Sequence, residues 1–209
     1  MTSTALRQHV ARLHASDDPI DDRTLDERLD LRVGSHESSW IDLVLRYGHH
    51  RVNQADLPYE IFRDLFRRLQ PSQTELLVDL GSGYGRLALY GGLLRNARVH
   101  GIELVRERVD EALRVRDLWG LSCMEITCGD ATMIEWPQAS VYCVLNPFLP
   151  SVLPLALERL REEARRRYIR IASVSTSNLT FERQPWLTEV PQESPHPHSP
   201  LGLRLFGSR

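Results

Sequence analysis

A short apolar run followed by three regularly spaced glycines is the feature that most constrains how this chain can fold. The run covers residues 76–80, and a short run of this kind is typical of a parallel strand buried on both faces. Glycine tolerates positive φ and has no Cβ atom, so a turn made from it can be tight and can let a ligand come close to the backbone. Residues 86–94 then suit a helix and 97–102 suit a second strand. The stretch therefore predicts a βαβ unit whose turn contains Gly81, Gly83 and Gly85.

The spacing of these glycines distinguishes between two classes of ligand. The dinucleotide fingerprint G-x-G-x-x-G requires a glycine where this chain has Arg86. Asp79 stands two residues before the first glycine, where a carboxylate would repel a pyrophosphate but attract the ammonium group of a methionine-like ligand. The pattern Asp79-x-Gly81-x-Gly83-x-Gly85 resembles the first motif of the class I S-adenosylmethionine-dependent methyltransferases. The resemblance implies S-adenosyl-L-methionine as the cofactor and S-adenosyl-L-homocysteine as its product.

Alternating helical and strand patterns continue after this unit. The last two predicted strands are joined by a proline-rich segment without a helix, which is typical of an antiparallel hairpin. The prediction is an α/β fold with a Rossmann-like, seven-stranded, mostly parallel sheet, a C-terminal antiparallel hairpin and helices on both faces. The predicted helices cover 106–119 and 150–166, and the predicted strands cover 124–128, 141–145, 168–174, 186–190 and 201–206.

The residues before the predicted sheet carry short amphipathic patterns. Helices this short are marginal in water when isolated, so their apolar stripes need a surface to bury against. We divide the chain into a helical N-terminal extension or lid at 1–57 and an S-adenosylmethionine-binding domain at 58–209. The extension is predicted to cover the cofactor, with Tyr47 or Tyr59 against it. Its predicted helices cover 2–14, 21–33 and 38–47, a loop covers 48–57, and Pro58 begins the next helix.

Acidic residues lie at the carboxyl ends of the first three predicted strands, at the edge of the sheet where open α/β folds bind ligands. The resemblance implies that Glu103 binds the ribose hydroxyls, that Asp130 binds the adenine amino group, and that Asp79 meets the methionine end. Each acid taken alone could instead be a solvated loop residue or a helix cap. The other implied cofactor contacts are Gly81, Ser82, Gly83, Gly85, Leu104, Ala131 and Asn146, with Thr132 beside the adenine ring.

The fourth predicted strand ends in Asn146-Pro147-Phe148. This turn resembles a shortened Asn/Asp-Pro-Pro-aromatic motif of methyltransferases that act on planar nitrogens, with Leu149 in place of the second proline. It is also similar to the Asn-Pro-Phe turn of small bacterial methyltransferases and, together with the Tyr59-Glu60 pair, to the Dot1-type histone lysine methyltransferases. The resemblance implies that Asn146 accepts hydrogen bonds from an acceptor amino group and that Phe148 stacks on it. An ordinary turn is the alternative.

The reaction implied is methyl transfer to a nitrogen of a protein or small-molecule acceptor. Methyl transfer from a sulfonium is an in-line displacement that depends chiefly on proximity and orientation. If the acceptor requires a base, the candidates are His49, His50, Tyr59 and Glu60. Two other functions stay open, namely a cofactor-binding regulatory protein without catalysis and an NAD-type oxidoreductase.

Composition excludes several other classes. The 26 basic residues are all arginine and are balanced by 28 acids, so a nucleic-acid partner is not expected. The three cysteines lack a C-x-x-C pair, and no ligand spacing indicates a metal site. No apolar run approaches the roughly 18 residues of a membrane span. We therefore expect a cytoplasmic protein without a membrane partner.

Overall fold

The structure is a computed structural model that describes residues 2–48, 57–95, 97–191 and 202–209, without the side chain of Arg95. Most of the predicted loop at 48–57, including the two candidate bases His49 and His50, lies outside the described residues. Residue 201, the first of the last predicted strand, lies outside them as well.

Seven strands form one mixed sheet in the described part of the chain. The first five strands pair in parallel, and the last two pair with their neighbours in antiparallel fashion, in the order β3-β2-β1-β4-β5-β7-β6. The predicted mostly parallel sheet with a C-terminal antiparallel hairpin is therefore confirmed. The strands are β1 (Leu76–Leu80), β2 (Arg98–Glu103), β3 (Met124–Cys128), β4 (Val141–Val144), β5 (Arg170–Ser173), β6 (Leu187–Glu189) and β7 (Arg204–Ser208).

The helices begin and end at residues whose chemistry favours a boundary. The side chains of Thr2, Asp21 and Ser39 each accept a hydrogen bond from a backbone N–H of the first turn that they precede. Gly120 ends the sixth helix in the left-handed conformation, at φ +62°. The helices are α1 (Ser3–Ala15), α2 (Asp22–Leu29), α3 (Trp40–Tyr47), α4 (Tyr59–Leu69), α5 (Arg86–Arg95), α6 (Arg106–Trp119), α7 (Leu153–Arg166) and α8 (Ser177–Glu182). None of the helices in the described ranges is both long and apolar enough to cross a membrane.

Two apolar clusters lie on opposite faces of the sheet. Leu77 of β1 belongs to one cluster, whereas Val78 and Leu80 belong to the other. Successive side chains of a strand point to opposite faces, so the clusters are on opposite sides. The first cluster takes residues from α1, α2, α4, α5 and α6, and the second takes residues from α7 and α8. Helices therefore cover both faces, as predicted.

The N-terminal extension shares the core of the sheet. Leu6, Val10, Leu25 and Leu29 are almost completely buried in the first cluster, together with residues of α4 and α5. The third helix is different, because its buried Leu43 packs in a small separate cluster with Val105. The first two helices thus pack on one face of the sheet, and α3 packs on the loop that follows β2.

The main departure from the predicted elements is α8, which no sequence pattern indicated. It has six residues and buries one large apolar side chain, Phe181, which is too little for a helical period to be recognised. The seventh helix begins at Leu153 and not at residue 150, because the N–H of Val152 donates to the carbonyl of Leu149 in a preceding turn.

Candidate functional site

The turn after β1 is joined to the end of β2 at the carboxyl edge of the sheet. The two strands pair in parallel, with Leu80 opposite Ile102. Beyond that pair, the backbone N–H groups of Gly81 and Ser82 both donate to the carbonyl of Ile102, at 2.8 and 3.1 Å. The chain therefore turns directly over the end of β2, where Glu103 follows.

Glu103 is buried beneath the turn and is held by two backbone donors. Its Oε2 accepts from the N–H of Gly83 at 2.8 Å, and its Oε1 accepts from the N–H of Val105 at 2.9 Å. Burial raises the pKa of this carboxyl, against the opposing effects of the Arg108 charge and the two backbone hydrogen bonds. A carboxylate oxygen can accept about two hydrogen bonds, so each oxygen keeps the capacity to accept one from a ligand hydroxyl.

Asp79 is a second buried acid at the same edge, only 4% exposed. Burial and, to a lesser degree, the charge of Glu103 raise its pKa to about 7. Among the described residues, no group lowers this pKa. A buried carboxyl in this situation favours a cation, because a nearby positive charge would stabilise its ionised form.

The three glycines of the turn differ in what surrounds them. Among the described residues, a Cβ atom at Gly83 would meet nothing within 4 Å, whereas one at Gly81 would come within 2.2 Å of the Cβ of Pro147. A Cβ atom at Gly85 would lie 2.9 Å from atoms of both Ile126 and Met124. Gly81 and Gly85 thus allow close packing, and Gly83 faces open space that a ligand could occupy.

Gly101 is a residue of this site that was not predicted from the sequence. It lies inside β2, where a Cβ atom would come within 2.5 Å of the Oγ of Ser82. Its missing side chain lets the turn after β1 rest on the neighbouring strand. A glycine inside a strand pattern indicates such close approach, so the signal was present in the sequence.

Asp130 follows β3 and makes local hydrogen bonds. Its Oδ1 accepts from the backbone N–H of Thr132 at 2.8 Å and from the Thr132 hydroxyl at 2.7 Å. Ala131 is buried, and its carbonyl accepts hydrogen bonds from Nε1 of Trp136 and from Nη1 of Arg159, both at 2.7 Å. The loop that carries Asp130 is thereby fixed at the edge.

The turn after β4 brings Asn146 and Phe148 to the same edge. Asn146 is half-buried and has φ +62°, a left-handed conformation that asparagine adopts more readily than most residues. Pro147 packs against Gly81, as described above. Phe148 is half-buried and packs against the apolar cluster on the second face. The Asn-Pro-Phe turn is therefore in contact with the glycine turn.

Tyr59, a predicted site residue, does not expose its side chain at this edge. It is completely buried, and its hydroxyl donates to Asp26 at 2.8 Å. The same carboxylate accepts from Nε of Arg86, the first residue of α5, at 3.1 Å. Tyr59 thus supports the helix that follows the glycine turn, and it could touch an acceptor only after rearrangement. The other described candidate base, Glu60, accepts from the N–H of Ile20.

Leu104 lies at the contact between the site and the extension. It is half-buried and packs with Tyr47 against the cluster formed by Leu43 and Val105. The third helix is therefore adjacent to Glu103, which precedes Leu104 in the chain.

These residues can bind a ligand that combines a cation with hydroxyl and amino donors. Asp79 and Glu103 offer buried carboxylates, and Asp130 offers a half-buried one at the same edge. Within the described ranges, Gly83 leaves open space beside the turn. No cluster of three or more His, Cys, Asp or Glu side chains within the described ranges could hold a metal ion.

The sequence matches no model of a known protein family, and it matches no curated protein. Solved structures do match. An RNA methyltransferase from Salinibacter ruber in complex with S-adenosyl-L-homocysteine aligns at 21% identity and a TM-score of 0.53, over 74% of this chain and 92% of its own. A methyltransferase from Geobacter sulfurreducens aligns at 20% identity and a TM-score of 0.56, over 91% of this chain and 100% of its own. The fold is that of the class I methyltransferases.

A third similar structure is a dimethyladenosine transferase from Plasmodium falciparum, with 14% identity and a TM-score of 0.52, over 77% of this chain and 62% of its own. The methyltransferase fold accounts for the strand order and for the antiparallel β6–β7 pair at the end of the sheet. It also accounts for the position of the candidate site, because parallel strands of this kind bind ligands at their carboxyl ends.

Proposed function

We propose that this chain is an S-adenosylmethionine-dependent methyltransferase. The observation that carries the proposal is the arrangement of Asp79, Gly83 and Glu103 at one edge of the sheet. It combines a buried acid that favours a cation, an open glycine and a carboxylate that can still accept hydrogen bonds. S-adenosylmethionine carries an ammonium group that suits the buried acid and a ribose diol that suits the carboxylate. The open glycine leaves room for the ligand between them.

In this proposal each acid has one part of the cofactor to bind. Glu103 accepts hydrogen bonds from the ribose hydroxyls, and Asp79 attracts the ammonium group of the methionine end. Asp130 accepts from the adenine amino group, and the fixed geometry of its loop supports this role. The remaining contacts come from residues next to these acids, namely Gly81, Ser82, Gly85, Leu104, Ala131 and Asn146.

The acceptor group is a nitrogen held by the turn after β4. Asn146 would accept hydrogen bonds from it, and the exposed part of Phe148 would lie against it. When bound, the cofactor supplies an activated methyl group, so the protein has only to align the nitrogen with the methyl–sulfur bond. The contact of Pro147 with Gly81 supports this arrangement, because it fixes the acceptor turn relative to the cofactor turn.

The acceptor is a protein or a small molecule. A polyanionic RNA requires a surface with excess positive charge, and the arginines near the site are engaged with acids or carbonyls. Arg46 pairs with Glu107, Arg108 pairs with Glu37, and Arg159 donates to backbone carbonyls. RNA is nevertheless the acceptor named for the Salinibacter structure, so it is included in the test below.

The extension contributes a lid, formed by α3 and the residues that lead into it. Support comes from the packing of Leu43 and Tyr47 on Leu104 and Val105, directly beside Glu103. A lid in this position would exclude water from the reacting groups.

Transfer of a labelled methyl group tests the proposal. The purified chain is incubated with S-adenosylmethionine labelled in its methyl group and with a cell extract divided into protein, RNA and small-molecule fractions. The proposal expects label in the protein or small-molecule fraction, with S-adenosylhomocysteine as the product. Label in the RNA fraction alone would contradict the acceptor class. Binding of the cofactor without transfer to any fraction would instead indicate a regulatory protein, and retention on NAD would indicate an oxidoreductase.

A further inference from the structure

The carboxylate of Glu103 shares a buried cation with an acid from the N-terminal extension. Arg108 donates to Glu37 through Nε at 3.1 Å and through Nη2 at 2.6 Å. Its Nη1 lies 3.8 Å from Oε1 of Glu103, beyond hydrogen-bonding distance. The three side chains are between 7% and 11% exposed. Glu37 thus holds the guanidinium by two hydrogen bonds, and Glu103 attracts it only through space.

The same extension residue also binds the glycine turn. The hydroxyl of Tyr84, which lies between Gly83 and Gly85, donates to Glu37 and accepts from the N–H of Gly34 at 2.8 Å. Burial alone would raise the pKa of the Glu37 carboxyl, but the hydrogen bonds from Arg108 and Tyr84 outweigh it and lower that pKa. Glu37 is therefore an ionised group that contacts both the turn and the cation beside Glu103.

The arrangement matters because Arg108 and a ribose diol would compete for the same carboxylate. A guanidinium presents donors in a fork that suits a carboxylate, and a full pair with Glu103 would occupy the acceptor positions that the diol requires. A buried pair of this kind would also be hard to displace, since separating it leaves two uncompensated charges.

We propose that Glu37 is a positioning residue for cofactor binding: it holds Arg108 away from Glu103 and so keeps that carboxylate available to the ribose hydroxyls. This inference rests on the proposed function, because it assumes an adenosyl ligand at Glu103. It gives the extension a role in cofactor affinity that is separate from covering the site.

The test is calorimetry of the full chain with S-adenosylhomocysteine in a double-mutant cycle. Glu37→Gln keeps the shape of the side chain but removes the charge that holds Arg108, and we expect about tenfold weaker binding. In an Arg108→Met background the competing cation is absent, so Glu37→Gln should then change affinity by less than about threefold. An equal loss in both backgrounds, or no loss in the wild-type background, would overturn the proposal.

Glu107→Gln is the matched control. Glu107 lies one residue before Arg108 and accepts from Ser38 and Arg46 of the extension, both at 2.8 Å, so it attaches the extension to the same helix. Its replacement loosens that attachment without releasing Arg108, and cofactor affinity should stay within about twofold of wild type. A loss equal to that of Glu37→Gln would mean that attachment of the extension, and not the position of Arg108, sets the affinity.

A second measurement separates positioning from a general effect on folding. Wild type should bind 5′-methylthioadenosine more tightly than its 2′,3′-dideoxy counterpart, because only the former has the diol. Glu37→Gln should reduce this preference, and Glu37→Asp, which keeps the charge, should retain most of it. An unchanged preference in folded Glu37→Gln would overturn the proposal. Failure of wild type to bind any of these adenosyl ligands would overturn the proposed function as well.

Discussion

The backbone of Gly81 lies against the side chain of Pro147, so closely that a Cβ atom at Gly81 would come within 2.2 Å of the Cβ of Pro147. This contact joins the turn after β1 to the turn after β4. In the proposed function, the first turn binds the cofactor and the second presents the acceptor. The proposed cofactor turn and the proposed acceptor turn are therefore in contact at one glycine.

Substitutions at Gly81 and Gly83 should have different consequences. Gly81→Ala should lower the free energy of unfolding by about 1–3 kcal/mol, since the new methyl group overlaps Pro147 and φ is +75°. Gly83→Val should also cost some stability, because φ is +55° there. The sheet should still fold, but binding of S-adenosylhomocysteine should be abolished, because the added branches enter the open space beside the turn. Chemical unfolding and calorimetry of both variants provide the test. Undiminished binding by Gly83→Val would show that this space does not receive the ligand.

The raised pKa of Asp79 predicts that this residue lowers the stability of the ligand-free protein above about pH 7. Its pKa rises from an ordinary value of 3.8 to about 7 in the folded protein, so the folded state holds a proton that the unfolded chain releases. The stability gained from this proton is fully present below about pH 4 and is lost as pH rises through about 7. Asp79→Asn should therefore raise the melting temperature of the ligand-free protein at pH 8, and the gain should shrink as pH falls toward 5.

Ionisation of Asp79 should strengthen ligand binding, although it lowers the stability of the ligand-free protein. An ammonium group favours ionised Asp79, so wild-type affinity for S-adenosylhomocysteine should increase from pH 6 to pH 8 with release of a proton. Calorimetry in buffers of different ionisation enthalpy measures that proton. In Asp79→Asn the affinity should be lower and the Asp79-linked proton release should be absent. A stable Asp79→Asn variant that binds as tightly as wild type would remove Asp79 from the methionine site.

Asn146 should affect reaction more than cofactor binding. Asn146→Ala removes the proposed acceptor of hydrogen bonds from the substrate nitrogen and leaves Asp79 and Glu103 in place. Turnover should fall by about 100-fold or more, with cofactor affinity changed by less than about threefold. Steady-state kinetics with the acceptor identified by methyl labelling, together with calorimetry, separates the two effects. Equal losses in both would mean that the turn belongs only to the cofactor pocket.

The fold could be predicted from the sequence wherever a local pattern determines an element. The bounds of β1, α6 and β3 agree with the predictions to the residue, because apolar runs, helical periodicity and Gly120 each mark them. The six residues of α8 are too few to show a period, so that helix was missed.

Only the residues at the strand ends of the candidate site could be predicted from the sequence, and not the contacts that surround them. Parallel strands bring Asp79, Glu103 and Asp130 to one edge whatever their neighbours are. The contacts of Glu37 with Arg108, 71 residues apart, have no sequence signature, because a long-range ion pair depends on packing that no local pattern encodes. For the same reason the hydrogen bond that directs Tyr59 to Asp26, 33 residues away, could not be foreseen.

The lid can be tested by hydrogen exchange with and without S-adenosylhomocysteine. Residues 36–47 should become protected on binding, because α3 packs on Leu104 and Val105 beside Glu103. The backbone of α1 provides an internal control, since it packs on α5 in the core and should gain no more protection than the general stabilisation by the ligand provides. Protection limited to the turns after the first four strands would rule out the lid and leave the extension as a binding or dimerisation element.

The proposed cofactor site is tested by the affinity of S-adenosylhomocysteine for the wild-type chain and for Glu103→Ala. Wild type should bind the ligand with an affinity of micromolar order and should melt at a higher temperature in its presence, as with any ligand selective for the native state. Glu103→Ala should weaken binding by about 1–3 kcal/mol, because the ribose hydroxyls lose a charged acceptor. A folded wild-type protein that does not bind S-adenosylhomocysteine, or a Glu103→Ala variant that binds it with unchanged affinity, would contradict the assignment of this edge as the cofactor site.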